Sequence, residues 1–179
     1  MTAIALPVPR RSTPSKADFE LSPTVRLAIG ITAFTLCFLC VVALGRAALG
    51  MVENLHYYDK LPVIVHVSAV LPAIPLGGYL LLARKGTRRH KQLGKLWLVL
   101  MLVTATSAIF IQSSGGFSPI HILIPVTFHA AWKTVATARK GDIAGHKKHL
   151  VFTYFAALAV PGILAFAFDG RLMNVMLLG

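Results

Sequence analysis

Long apolar runs alternate with short polar words along this chain. Taking about 20 residues for a bilayer crossing, five runs are long enough. They are 27–49, 62–83, 90–112, 118–138 and 149–168. Each is followed by a polar break, and none contains Asp or Glu. The pattern predicts an all-α integral membrane protein with five transmembrane helices. Residues 1–26 are polar, basic and rich in proline, and are expected to form a disordered cytoplasmic tail ahead of a single transmembrane domain, 27–179. Pro72, Pro75, Pro125 and Pro161 fall inside runs and should kink them.

Charge orients this arrangement. Of eighteen Lys and Arg, all but Arg46, Lys60 and Arg171 fall in the tail, in or beside the junction of runs two and three, or in or beside that of runs four and five. The excess of cations on cytoplasmic loops puts the N-terminus inside and the C-terminus outside. The formal net charge is +12, yet only 13% of residues are charged and 56% are hydrophobic. A basic soluble domain would suggest nucleic acid. Basic clusters between apolar runs instead suggest a bilayer with anionic headgroups, and exclude nucleic acid as the expected partner. A multi-pass protein of the bacterial inner membrane follows, with no expectation for its oligomeric state.

A longer pattern recurs. "ARKG" begins at Ala83 and again at Ala138, and sixteen residues separate each from a preceding histidine, His66 or His121. A His-Lys pair follows each word, at His90 and His146. Runs two to five thus read as two parallel hairpin repeats closing a four-helix bundle. His66 and His121 would lie near the outer ends, His90 and His146 near the inner, separated by roughly 25–30 Å of helix. Two imidazoles facing each other across helices are what a b-type haem requires. One or two haem b groups are therefore expected. His66 would pair with His121 or His129 outside, and His90 with His146 or His149 inside. Arg88 and Arg89 are placed to meet haem propionates. A quinone or a membrane oxidoreductase would be the exchange partner, with His129 also a candidate for binding the quinone.

Other readings compete. Histidines beside Lys and Arg often simply solvate a membrane interface. The chain would then be a non-catalytic assembly factor or subunit, docking a partner or anionic lipid through its basic face. A small permease is disfavoured by the lack of acids within the runs. Cys37 and Cys40 share one helix face and fit packing better than redox chemistry.

"HKQLGKLW" at His90 and "ARKGDIAGHKKHLVFTY" ending at Tyr154 resemble the bacterial membrane-protein family called domain of unknown function 2306, over residues 61–168. That family typically has His-Arg-x-x-Gly-Arg at the start of the third run and His-Arg-Arg-Trp-Met before the last. Here Lys91 and Lys95 replace the arginines, and Lys147, Lys148, His149 and Leu150 stand in the second motif. The resemblance implies the helical architecture and matches His66, His90 and His146, while implying no activity. The histidine layout is also similar, in topology alone, to di-haem b-type cytochromes.

Overall fold

The computed structural model describes residues 20–53, 55, 60–111, 116 and 118–179, and every regular element among them is helical. Helix α1 spans Pro23–Ala48, α2 Leu61–Leu82 and α3 Arg88–Ala108. A single 3-10 turn, Pro119–Ile122, leads into α4, Leu123–Lys140. Helix α5 runs over Ile143–Ala167, and α6 covers Leu172–Leu178. Residues 1–19 of the expected disordered tail 1–26, and residues 54, 56–59, 112–115 and 117, lie outside the described residues, whereas Pro23 to Arg26 already form the first turn of α1.

The five long helices fall where the apolar runs predicted them, but only three are long and apolar enough to be membrane spans. These are α1, α2 and α5. The expectation of five is corrected by composition. Helix α3 opens on Arg-Arg-His-Lys-Gln-Leu-Gly-Lys, leaving Leu96–Ala108 as its apolar part, about 20 Å of helix. Helix α4 has 18 residues and carries Lys133, Arg139 and Lys140.

The repeated "ARKG" word has a clear local role. Gly86 and Gly141 adopt positive φ of 81° and 71°, a region that costs other residues a Cβ clash. The next residue in each case caps the following helix. Thr87 Oγ1 accepts from the His90 amide at 3.1 Å, and Asp142 Oδ1 accepts from the Gly145 amide at 2.8 Å. Each word therefore stops one helix, turns the chain, and starts the next.

The prolines act less uniformly than expected. Helix α2 continues through Pro72 and Pro75. Pro125 lies in the first turn of α4, where amides have no partner to lose, so it does not interrupt the helix. Pro161 is the exception. It follows a π turn at Phe155–Ala159 that interrupts the regular ladder of α5.

Helix α2 packs on α3, α3 on α4, α4 on α5, and α5 back on α2. The four form a ring in which α3 faces α5 diagonally and α2 faces α4. Helix α1 lies outside against α2, and α6 folds back onto α1. There Arg46 Nε donates to the Met176 carbonyl at 3.3 Å, and Asn174 Nδ2 to the Phe166 carbonyl at 2.8 Å. Arg46 thus tethers the C-terminal helix.

The centre of the ring is aromatic. Trp97 of α3 and Tyr154 of α5 are fully buried and converge on Gly77 of α2. A Cβ at Gly77 would lie 2.6 Å from Trp97 Nε1 and 2.9 Å from Tyr154 Cδ2. The indole donates to the Ala73 carbonyl at 3.0 Å. Gly78 does the same for α1, since its Cβ would lie 2.9 Å from that of Ala33. Small residues at helix crossings are how membrane bundles bring backbones together.

Outward, α1 exposes Leu27, Ile31, Phe34, Phe38 and Val41, a continuous stripe at helical spacing. Water would penalise such a surface, whereas lipid solvates it.

Candidate functional site

The caps that begin α3 and α5 also fix the inner histidines. His90 falls in the first turn of α3 and His146 in the first turn of α5, diagonal neighbours in the ring. His146 Nδ1 lies 2.9 Å from the Thr134 carbonyl of α4. A carbonyl only accepts, so in this contact Nδ1 carries the proton, and Nε2 offers a lone pair whenever the ring is neutral. His90 Nδ1 is buried and has no hydrogen-bond partner among the described residues. His90 precedes the apolar part of α3, outside the three candidate spans. Its pKa is lowered, first by burial and then by repulsion from His146, when that ring is protonated, and from Lys85. The two rings are near enough for charge on His146 to act on His90, but the cleft beside His90 does not include His146.

The outer pair is arranged differently. His66 Nδ1 lies 3.0 Å from the Thr104 carbonyl and 3.2 Å from Ser107 Oγ, both on α3. Its Nε2 is thus also left as an acceptor. His121 turns back on its own chain, where Nδ1 accepts from the Ser118 amide at 3.0 Å. A neutral ring accepting at Nδ1 carries its proton on Nε2. His66 on α2 and His121 before α4 belong to diagonal elements of the ring, and each is engaged with its own neighbours.

His129 is exposed on α4 and leans on Trp132, with ring centroids 5.8 Å apart. With Ala130, Lys148, His149 and Phe152 it lines a shallow groove of about 190 Å³. His149 therefore faces this groove. Among the described residues no three His, Cys, Asp or Glu side chains converge as a metal-ion site. Cys37 is half-buried and Cys40 buried, both as free thiols, consistent with packing.

A larger cleft of about 270 Å³ opens beside His90, lined by Tyr79, Ala83, Arg84, Thr87 and Arg89 as well. Arg89 was expected at the site; Arg84 and Tyr79 were not, because they come from the other side of the turn. Arg88 is exposed and does not line it. Nearby, Lys85 is drawn into the bundle end. Burial lowers its pKa first, then the charges of Arg26 and Lys147, with Glu20 opposing them. Lys147 Nζ donates to the Glu20 carbonyl at 2.8 Å, tying the start of α1 to α5.

Two partners of the histidines were missed in sequence. Thr104 and Thr134 act through backbone carbonyls, which no residue pattern announces. A weak signal existed in α3, where His90, Trp97 and Thr104 recur every seven residues and so share a face.

No curated protein and no solved structure matches this chain. Residues 63–169 match the family described as predicted membrane protein (DUF2306). The match holds both hairpins, the central aromatic pair and the four histidines at 66, 90, 121 and 146. With more than half its length covered, the chain belongs to the DUF2306 family of membrane proteins.

Proposed function

We propose that this protein binds haem b at the inner end of the bundle, between His90 and His146, and passes single electrons within the membrane. The observation that carries the reading is the placement of these two imidazoles in the first turns of diagonal helices at one end of the ring. His146 is held by the Thr134 carbonyl with Nε2 left to ligate, and His90 Nδ1 is buried and unpartnered. A carbonyl on the far nitrogen is the usual way a protein orients a ligating histidine.

The donor set fits a bis-imidazole iron. The room is tight: the cleft beside His90 has about 270 Å³ and does not reach His146, against roughly 300–1,000 Å³ for small-molecule pockets. A macrocycle would therefore be received at the inner rim by moving side chains aside. Arg88 and Arg89 would hold its propionates. When bound, the haem would supply a one-electron couple, with a quinone or membrane oxidoreductase as exchange partner.

A second haem would use His66 with His121 or His129, and His121 would first have to leave its cap. The framework proposed with it is a bacterial inner-membrane protein with the N-terminus inside and the C-terminus outside, its two hairpins standing as parallel repeats.

The test is a dithionite-reduced minus air-oxidised visible spectrum of the protein purified in mild detergent after haem-supplemented expression. Sharp b-type bands are expected, abolished by His90→Ala or His146→Ala and retained in His149→Ala. A flat spectrum from the unaltered protein overturns the reading.

A second reading is favoured by the clustering of Arg26, Lys85 and Lys147 at one end of the molecule. In it, the basic end holds anionic lipid or an acidic partner, and the histidines only pack. Charge reversal at Arg88 and Arg89 would then release the partner in pull-downs.

A further inference from the structure

We propose that the cleft at the α2–α3 turn is a site for the phosphate headgroup of an anionic phospholipid, an inference that rests on the second reading above and gives it a specific site. The cleft is lined by Tyr79, Ala83, Arg84, Thr87, Arg89 and His90, and no lining residue is acidic. Among the described residues neither guanidinium has an ion-pair or hydrogen-bond partner. His90 Nδ1, also in the lining, is buried with no partner. A buried polar atom without a hydrogen bond is costly, and a phosphate seated in the cleft would gain Nδ1–H as a donor once the side chains covering it move aside.

The local electrostatics point the same way. Helix α3 begins Arg88-Arg89-His90-Lys91, with no acid in its first turn. The N-terminal end of a helix is already positive, so cations there are placed against the macrodipole. An anion seated at this turn offsets both. Arginine forks match two phosphate oxygens at once, which gives the cleft a preference over general basic attraction.

Position selects lipid over a soluble phosphate. The cleft lies at the end of two apolar helices, and along α3 beyond it Leu96, Val99 and Val103 are exposed. A headgroup held by Arg84 and Arg89 would have apolar helix surface beside its acyl chains.

The experiment uses the full-length protein in mild detergent, with bound lipids counted by native mass spectrometry during titration with phosphatidylglycerol or phosphatidylcholine. One tightly retained phosphatidylglycerol is expected, preferred over phosphatidylcholine by about tenfold or more. Arg84→Gln with Arg89→Gln should remove that preference. Arg139→Gln with Lys140→Gln, which takes the same charge from the other basic turn, should keep it. Equal loss in both pairs would mean diffuse attraction and would overturn the site while leaving the basic-end reading standing. No phosphatidylglycerol preference in the unaltered protein would overturn both. Displacement of the lipid by millimolar glycerol phosphate or inorganic phosphate would reassign the cleft to a soluble ligand. If the glutamine pair is not monodisperse, Arg84→Lys with Arg89→Lys keeps the charge and removes the forks. Several-fold weakening is then expected, and unchanged binding counts against the site.

Discussion

At the scale of single residues, the bundle centre depends on one missing methyl group. Gly77 admits Trp97 and Tyr154, and a Cβ there would sit 2.6 and 2.9 Å from their ring atoms. Both rings are wedged, with Trp97 further fixed by its bond to the Ala73 carbonyl. Gly77→Ala is therefore expected to destabilise by about 1–3 kcal/mol, the usual cost of overpacking, read as a lower melting temperature in detergent. Gly94→Ala is the comparison, because a Cβ there meets nothing within 4 Å and alanine favours helix. That variant should melt at or above the temperature of the unaltered protein. Equal losses at the two positions would show that the centre is looser than described. In sequence Gly77 is simply a glycine two residues after Pro75. Its role depends on side chains arriving from helices 20 and 77 positions away, which no local pattern encodes.

At the scale of elements, the sequence was most legible where periodicity and turn chemistry agreed. Every apolar run became a helix. The recurring "ARKG" word was noticed for its spacing to histidines, while its stronger content is the turn itself. Gly86 and Gly141 hold positive φ, and each has open space where a Cβ would go. Alanine at either position should thus cost about 1–2 kcal/mol from backbone conformation alone. Asparagine, which tolerates this region better, should cost less. The order Gly, Asn, Ala in thermal stability at both sites is the expected result. An alanine variant as stable as the parent would mean that the turn can relax to negative φ. The histidine pairs were less legible than the turns. His90 and His146 both begin helices that stand diagonally in the ring, near enough for charge on one to act on the other. His121 lies ahead of α4 rather than within it, in a short 3-10 turn opened by Pro119. There its ring caps the Ser118 amide, a local bond that spacing counts do not reveal.

At the scale of the whole molecule, the open question is how many helices cross the bilayer. Composition qualifies α1, α2 and α5, and α3 and α4 fall short because their inner halves are basic. Packing holds both beside helices that do qualify. Trp97 bonds to Ala73 and His66 to Thr104, so α3 runs antiparallel beside α2 in one register along most of its length. A helix fixed beside a spanning helix in this way shares its depth. The basic first turns of α3 then lie among headgroups, within the roughly 40–45 Å that a bilayer occupies including its interfaces. Helix α4 is held to α5 by the contact of His146 with Thr134 in the same manner. Three crossings and five both leave the two termini on opposite sides, so labelling the ends does not separate them. The α3–α4 connection does. With Cys37 and Cys40 replaced by alanine, Gly116→Cys in intact cells should react with a membrane-impermeant maleimide, and Arg139→Cys should react only after lysis. Labelling of both positions only after lysis would place the α3–α4 connection inside, leaving α3 and α4 as a hairpin entering from the cytoplasmic side. In that arrangement the packing of α3 along α2 could not extend to His66 and Thr104 at the outer end, so the same result would also refute the register described here.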